Sequence, residues 1–267
     1  MKIACLCPTY KRPQFLANAA ACFYGQDLPG GVEARLFILD DAGQFVHEYV
    51  HTQFGNLHAS LYLVSQADRI PFDEGLPGKY RRLVGMARHW EADVYVVWED
   101  DDIFLPWHLS NVVESVSRGI HYMRLPTVYS TYGCVKGQAK RENAAGRFHS
   151  SWAFTREIYD YVGGYPDTNR LDFDQQLNRK LERADPLDEP RRKILADLTP
   201  GYVYRWGNNV YHGSQAGEMG FADLWQSLEH LPAPFIGQLV PQYDLQTQRT
   251  IEFIRAANPP RIVQEAR

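Results

Sequence analysis

The chain has 267 residues, 45% of them hydrophobic and 22% charged, with a formal net charge of −4 and a pI near 6.1. This composition excludes a disordered chain and suffices for a full hydrophobic core. It also gives no general attraction to nucleic acid or anionic membranes, leaving only a local basic patch as a route to either. No run of about 18 uninterrupted apolar residues occurs, and charges return at Lys11 and Arg12 before a signal-peptide core could form. A cytoplasmic location is therefore expected. Cys5, Cys7, Cys22 and Cys134 show neither disulfide nor zinc spacing, and read as buried free thiols.

In chain order, Ile3 to Cys7 predicts a short strand broken by Pro8, and Pro13 opens a helix over Gln14 to Tyr24. Arg35 to Asp41 reads as a second strand ending in two acids, Ser60 to Val64 as a third, and Lys79 to Trp90 as a helix. Val94 to Trp98 is an apolar run too short for a helix and rich in β-branched and aromatic residues, the pattern of a strand buried on both faces. This alternation predicts an α/β fold, a parallel sheet with helices on both faces in one compact unit. Further on come a helix over Trp107 to Ser117 and strands over Tyr122 to Val135 and Phe148 to Phe154. A polar helix from Asp172 to Arg183 follows, then short strands at Tyr202 to Trp206 and Val210 to His212. The tail, Pro241 to Arg267, predicts one helix near Leu245 to Ala257 before Pro259-Pro260, and suggests a wrap or a homo-oligomer contact.

The buried run ends in four adjacent acids, Glu99-Asp100-Asp101-Asp102. They stand at the carboxyl end of a strand, the edge at which open α/β sheets bind ligands, and so much like charge is costly without a cation. Oxygen-only ligands suit Mg²⁺ or Mn²⁺, which points to a metal–diphosphate site. A solvated acidic turn capping the next helix is the plainer alternative.

Four blocks in this order together resemble the GT-A-fold glycosyltransferases, similar to the large inverting family 2 group, over about Ile3 to Ser214. They are Cys7-Pro8-Thr9-Tyr10-Lys11-Arg12-Pro13, Leu39-Asp40-Asp41, Glu99-Asp100-Asp101-Asp102, and Gly163-Gly164-Tyr165 with Asp172-Phe173-Asp174. The resemblance implies a Rossmann-like GT-A domain, a mixed, mostly parallel sheet flanked by helices, and a metal-dependent transfer of one sugar from a nucleotide-sugar donor to a hydroxyl acceptor with inversion. It implies residues 1–105 as the nucleotide-sugar half, 106–225 as the acceptor and catalytic half, and 226–267 as a helical tail. Pro8, Thr9, Tyr10, Arg12 and Asp40 would meet the nucleotide, Asp40 being favoured over Asp41. Thr9 as a helix cap and Asp41 as a turn acid are the structural alternatives.

Gly78 and Lys79 resemble a Gly-Lys pair that meets the diphosphate, with helix amides and a point charge working together. Arg82 joins them, while Arg88 is left to the surface. The acids match an Asp-x-Asp signature as Glu99-Asp100-Asp101, with Glu in place of the first Asp. Asp101 would bind the Mn²⁺ or Mg²⁺, Glu99 would reach the ribose or a metal-bound water, Asp100 would serve the donor, and Asp102 would stand just behind the metal. His212 looks like a late metal-binding histidine, a structural role being the alternative. Asp172 matches the general base, with Asp174 in reserve; an N-cap role is compatible with either.

Tyr202 to Trp206 partly resembles the Gln-x-x-Arg-Trp block of polymerising members, but Tyr202 replaces the Gln, which argues against processive synthesis. Trp152, Trp206, Tyr129 and Tyr132 offer stacking faces on the acceptor side or are core. The acceptor remains open among a glycan, a lipid-linked sugar, a protein and a modified nucleic-acid base. A nucleotidyltransferase that makes a sugar nucleotide ranks lower, because no Gly-rich loop with Arg and Lys follows the first strand. A non-catalytic carbohydrate- or nucleotide-binding module of the same fold is the third reading.

Overall fold

The computed structural model describes residues 1–45, 48–51, 58–66, 75–144, 146–168, 170, 172–206 and 239–258. Its centre is a seven-stranded sheet. Strands β1 (Lys2–Thr9), β2 (Glu33–Asp40), β4 (His58–Ser65) and β5 (Val94–Val97) run parallel, with β1 between β2 and β5. The strand β3 (Glu48–His51) pairs antiparallel on the β4 edge. On the other side β10 (Ala153–Thr155) runs antiparallel to β5 and carries β7 (Tyr122–Met123) beyond it. Two strands from the second half of the chain thus complete the sheet begun by the first.

Alternation along β1 explains the layers. Ile3, Cys5 and Cys7 point into a core with α1 (Pro13–Tyr24) and α3 (His108–Ser117), while Ala4 and Leu6 point into one with α2 (Gly75–His89). The helices α4 (Arg156–Tyr161) and α5 (Phe173–Ala184) join the α2 side. A second, four-stranded sheet covers part of the α1 side, in the order β6 (Ile103–Phe104), β11 (Tyr202–Tyr204), β8 (Thr127–Ser130), β9 (Lys140–Asn143). The helix α6 (Glu189–Asp197) and the carboxy-terminal helix α7 (Leu245–Ala257) also contribute to that core, through Leu195, Ile251 and Ile254.

Several boundaries differ from those the sequence predicts. β1 continues through Pro8, because its ladder to β5 ends at Leu6, so the missing N–H of Pro8 falls beyond that pairing. The run Tyr122 to Val135 holds two strands in different sheets, and Phe148 to Phe154 is a 3₁₀ turn (His149–Ser151) leading into β10. The elements β3, β6, β9, α4 and α6 are additional. The tail helix has the predicted bounds, and it folds back on its own chain: the Gln242 N–H donates to Ala17 O at 3.0 Å and that of Asp244 to the Asn18 side chain at 3.3 Å. Among the described residues, no helix is long and apolar enough to cross a membrane.

Candidate active site at the carboxyl edge of the sheet

The chain departs in opposite directions from β1, to β2 on one side and β5 on the other, so the switch point of the sheet lies between β1 and β5. The ends of β1, β2 and β5 bring Thr9, Asp40-Asp41 and Glu99 to Asp102 to one edge. Asp100, Asp101 and Asp102 are buried, and Glu99 keeps 27% of its side chain exposed.

Each of the four acids has its own partners. Glu99 accepts from the Tyr80 hydroxyl (2.9 Å), the Ser150 hydroxyl (2.6 Å) and His149 Nδ1 (3.0 Å). Asp100 accepts from the Thr9 hydroxyl at 2.6 Å and pairs with Arg12 at 2.5 Å. Asp101 accepts from the same guanidinium at 2.8 Å. Asp102 is held by the Tyr202 hydroxyl at 2.7 Å and the Arg205 backbone N–H at 3.0 Å.

The electrostatics follow from burial and these partners. Burial pushes Asp100 up to about 7, against the pull of Arg12 and with repulsion from Asp101 added. Asp102 is also raised, first by burial and then by Asp101 and Glu99. At Glu99 burial acts in the same sense, but the bonds from His149, Ser150 and Tyr80 together outweigh it and draw the carboxyl down to about 2. Arg12 therefore compensates only part of the charge, and the edge favours a further cation or a proton. Glu99, Asp101 and Asp102 each bring one carboxylate oxygen within 4.8 Å of the others, while Asp100 is tied to Thr9 and Arg12. Three clustered hard oxygens with incomplete charge compensation fit a Mg²⁺ or Mn²⁺ ion.

The two acids after β2 are held in different ways. Both oxygens of Asp40 are used within its own turn, accepting from the N–H groups of Ala42 (3.0 Å) and Gln44 (2.7 Å), the Gln44 amide (3.2 Å) and Ser65 (2.7 Å). Asp41 pairs with Lys79 at 2.5 Å, and its Oδ2 is buried with no hydrogen-bond partner among the described residues. Thr9 does not cap α1, since its hydroxyl is given to Asp100.

α2 begins earlier than predicted, so Gly78 and Lys79 are its fourth and fifth residues, both buried, and the Lys79 ammonium also lies 5.5 Å from the Tyr10 ring. Arg82 is exposed on the same helix, as is Arg88, which pairs with Asp160. Asp172 is the residue before α5. It accepts from Arg170 and Gln176, both at 3.0 Å, and these bonds lower its pKa, Gln176 contributing most. Asp174 accepts from the Gln175 N–H at 2.7 Å. Between them Phe173 packs on Tyr80 and His149, the residues that hold Glu99. The start of α5 is thus joined to the acidic edge through one ring. His212 lies outside the described residues.

His149, Ser150, Tyr80 and Tyr202 are site residues that the sequence reading missed. Tyr80 hides inside a helix that reads as amphipathic, and the His149 turn reads as a strand. A visible signal was Gly163-Gly164. Both have positive φ (76° and 67°), a side chain at Gly164 would meet the Tyr159 ring at 2.6 Å, and the turn delivers Tyr165, whose hydroxyl lies 3.0 Å from His149 Nε2. Of the aromatics expected on the acceptor side, Trp152 and Tyr129 are buried in the core, whereas Tyr132 and Trp206 are not.

No family model and no curated protein matches this sequence. Among solved structures the chain is similar to S. aureus TarS 1–349 in complex with UDP-GlcNAc, with 12% identity and a TM-score of 0.55 over 96% of this chain and 72% of that one. The UDP complex of the same protein gives 12% identity and a TM-score of 0.52, covering 96% and 71%. TarS is a glycosyltransferase of GT-A type. The likeness is one of fold, and the fold of this chain is the GT-A fold.

Proposed function

We propose that the protein is a metal-dependent inverting glycosyltransferase that moves one sugar from a nucleoside-diphosphate sugar to a hydroxyl acceptor. The observation that carries this reading is the clustering of Glu99, Asp101 and Asp102 within 4.8 Å at the switch point of a GT-A sheet. Asp101 is the leading metal ligand, because among the described residues its carboxylate is held by Arg12 alone, whereas Glu99 and Asp102 are each fixed by two or more donors. Bound there, Mg²⁺ or Mn²⁺ supplies the positive charge that stabilises a departing diphosphate.

The chain's own groups do the rest. Residues 1–105 form the donor half, where Thr9, Arg12, Gly78, Lys79 and the Asp41 carboxylate paired with it stand at the edge that receives the nucleotide. Residues 106–225 form the acceptor half. Asp172, kept ionised by Gln176 and Arg170, takes the proton from the acceptor hydroxyl as that oxygen bonds to the anomeric carbon. The bond from that carbon to the diphosphate breaks on the opposite face, so the configuration inverts.

Titration calorimetry of UDP and GDP with Mn²⁺, and again with EDTA, tests the donor site. Binding that EDTA abolishes in the wild type and that Asp101→Asn lacks is the expected result; metal-independent binding sinks the metal assignment. Asp172→Asn should keep donor binding and lose about two to four powers of ten in turnover. Proton NMR of the product from an α-linked donor should show a β linkage, and an α product excludes the single displacement.

A further inference from the structure

β7 also ends at the carboxyl edge of the sheet. It and β5 both run antiparallel to β10, so they point the same way, and Ala153 of β10 stands level with Val96 on one side and Met123 on the other. The residues that follow β7, Arg124, Leu125 and Pro126, therefore leave the sheet where Glu99 and its neighbours leave it, two strand spacings or about 10 Å along the edge. A cavity of about 570 Å³ lies there, walled by these residues, the end of α5 and one flank of α6, and none of the four acids lines it.

Its walls are mostly aliphatic. Pro126, Pro186 and Ala196 are exposed in it and Leu187 is half-buried, over Leu125 and Leu195, which belong to the core. Tyr122, the aromatic residue of the lining, is 2% exposed and gives its hydroxyl to Asn178 at 2.8 Å, so it offers no face for a sugar ring to stack on. Gly146 closes one end. Its φ is 71°, and a side chain there would meet the Arg124 guanidinium at 2.6 Å.

The polar groups of the lining divide into those already matched and those left over. Glu182 pairs with Arg124. Asp185 accepts the N–H groups of His121 (2.9 Å) and Tyr122 (3.0 Å) on one oxygen and pairs with Arg191 at 2.6 Å through the other. Arg192 and Asn143, by contrast, make no side-chain hydrogen bond or ion pair among the described residues, and Asp188, at the start of the helix that carries Arg192, is taken up by Arg191. Both leftover groups are exposed at the mouth, where a guanidinium and an amide present N–H donors to acceptor oxygens.

We infer that this cavity binds a small amphipathic anion: an aliphatic or isoprenoid body seated against Pro126, Pro186, Leu187 and Ala196, with one phosphate or carboxylate group held at the mouth by Arg192 and Asn143. The volume and the mainly apolar lining with a few donors are those of small-molecule sites in general. The site stands apart from the glycosyl-transfer reading, since its lining and the acidic cluster share no residue.

The test is calorimetric titration in EDTA, below micelle-forming concentrations, with decyl phosphate, decanoate, decyl maltoside, decyltrimethylammonium and inorganic phosphate. The proteins are the wild type, Arg192→Gln, Ala196→Trp, whose ring fills the cavity, and Asp101→Asn. Residues 192 and 196 are both exposed on α6, and melting curves check the folding of each variant; Arg192→Gln decides alone where the tryptophan lowers the melting temperature. One or both decyl anions should bind once per chain, at least tenfold tighter than the neutral and cationic amphiphiles, and about tenfold weaker in the two α6 variants. Which anion binds tells phosphate from carboxylate. No binding of either anion, equal affinity for decyl maltoside, equal affinity for inorganic phosphate, or undiminished affinity in Arg192→Gln each overturns the site. Asp101→Asn should bind as the wild type does; a changed affinity puts the amphiphile at the acidic edge and overturns it too. UDP and GDP binding with Mn²⁺ is a separate measurement, whose failure sinks the proposed function and leaves this cavity site standing.

Discussion

β2 and β5 both end in acids at the same edge of the sheet, and the two ends are held differently. After β2, Asp40 accepts four hydrogen bonds from its own turn and Ser65, and Asp41 meets the ammonium of Lys79. After β5, Arg12 pairs with Asp100 and Asp101, Glu99 and Asp102 are held by other side-chain and backbone donors, and burial raises Asp100 to about 7. Sequence shows both as carboxylates after a strand. Burial raises Asp40 as it raises Asp100, so what separates them is where the donors come from: those of Asp40 lie in its own turn and on Ser65, whereas Asp100 and Asp101 share a guanidinium and repel each other.

The largest expected effect comes from removing the guanidinium that pairs with Asp100 and Asp101 at the β5 end. Arg12→Gln leaves Asp100 and Asp101 buried without their ion pair, a change that costs about 3–5 kcal/mol when nothing replaces the charge. The melting temperature should fall sharply in EDTA, and Mn²⁺ should recover more of it than it adds to the wild type. A variant that melts like wild type in EDTA would show the acids to be compensated elsewhere, and the contrast between the two strand ends would fail.

The contrast is sharpened by exchanging the same test across the two ends. Asp40→Ala strands the Gln44 and Ala42 N–H groups and the Ser65 hydroxyl, and should lower stability by about 2–4 kcal/mol with or without metal. Asp101→Asn should show the reverse pattern. It relieves like-charge repulsion, keeps or gains apo stability, and forfeits the metal-linked gain, which reaches about 2.7 kcal/mol at a hundredfold excess over Kd. Urea unfolding of each protein with and without Mn²⁺ reads both. Identical metal responses from the two variants would erase the distinction.

A third test uses a titratable group from the core behind β5. His108 is fully buried against Trp98 and Phe104, neither ring nitrogen has a hydrogen-bond partner among the described residues, and burial lowers its pKa to about 3. In the unfolded chain the imidazole takes a proton near its ordinary value of about 6.5, so between there and pH 3 the unfolded state binds more protons. Stability therefore falls as pH drops through that window, by about 1.4 kcal/mol per unit at full slope from this group. His108→Leu removes that contribution and the unpaired nitrogens. The difference in unfolding free energy between variant and wild type should grow as pH falls from 6.5 to 4.5; a constant difference would mean that His108 is protonated in the fold.

The contrast between the strand ends also marks what could be read in advance. Val94 to Val97 and Arg35 to Asp40 are runs whose composition dictates buried parallel strands, so the edge that gathers Thr9, Asp41 and the four acids was legible. The donors were not. His149 reaches Glu99 across 50 residues of sequence and Tyr202 reaches Asp102 across 100, and no local periodicity encodes contacts made by a turn and by a strand of another sheet. For the same reason the partners of Asp40 were not legible: Ser65 reaches it from 25 residues away. The short elements β3, β6, β9, α4 and α6 escaped because their pairing or packing, rather than intrinsic propensity, holds them in place.

The smallest expected effect asks whether the β5 end depends on the distant tail. Asp244 caps α7, accepting from the Thr247 N–H at 2.7 Å, and also accepts from the Arg205 side chain at 2.5 Å, while the Arg205 backbone N–H donates to Asp102. One residue thus joins the tail helix to a carboxylate of the acidic cluster. Asp244→Ala should cost about 1 kcal/mol for the lost cap. Asp244→Ser restores a capping hydroxyl but not the ion pair, so its stability should return most of the way. If Arg205 holds Asp102 in place through this link, Mn²⁺ affinity should fall a few-fold in both variants alike, separating positioning from capping. Should the Ser variant recover affinity together with stability, the tail stabilises the fold without tuning the site, and the cluster is set by β5, β11 and Arg12 alone.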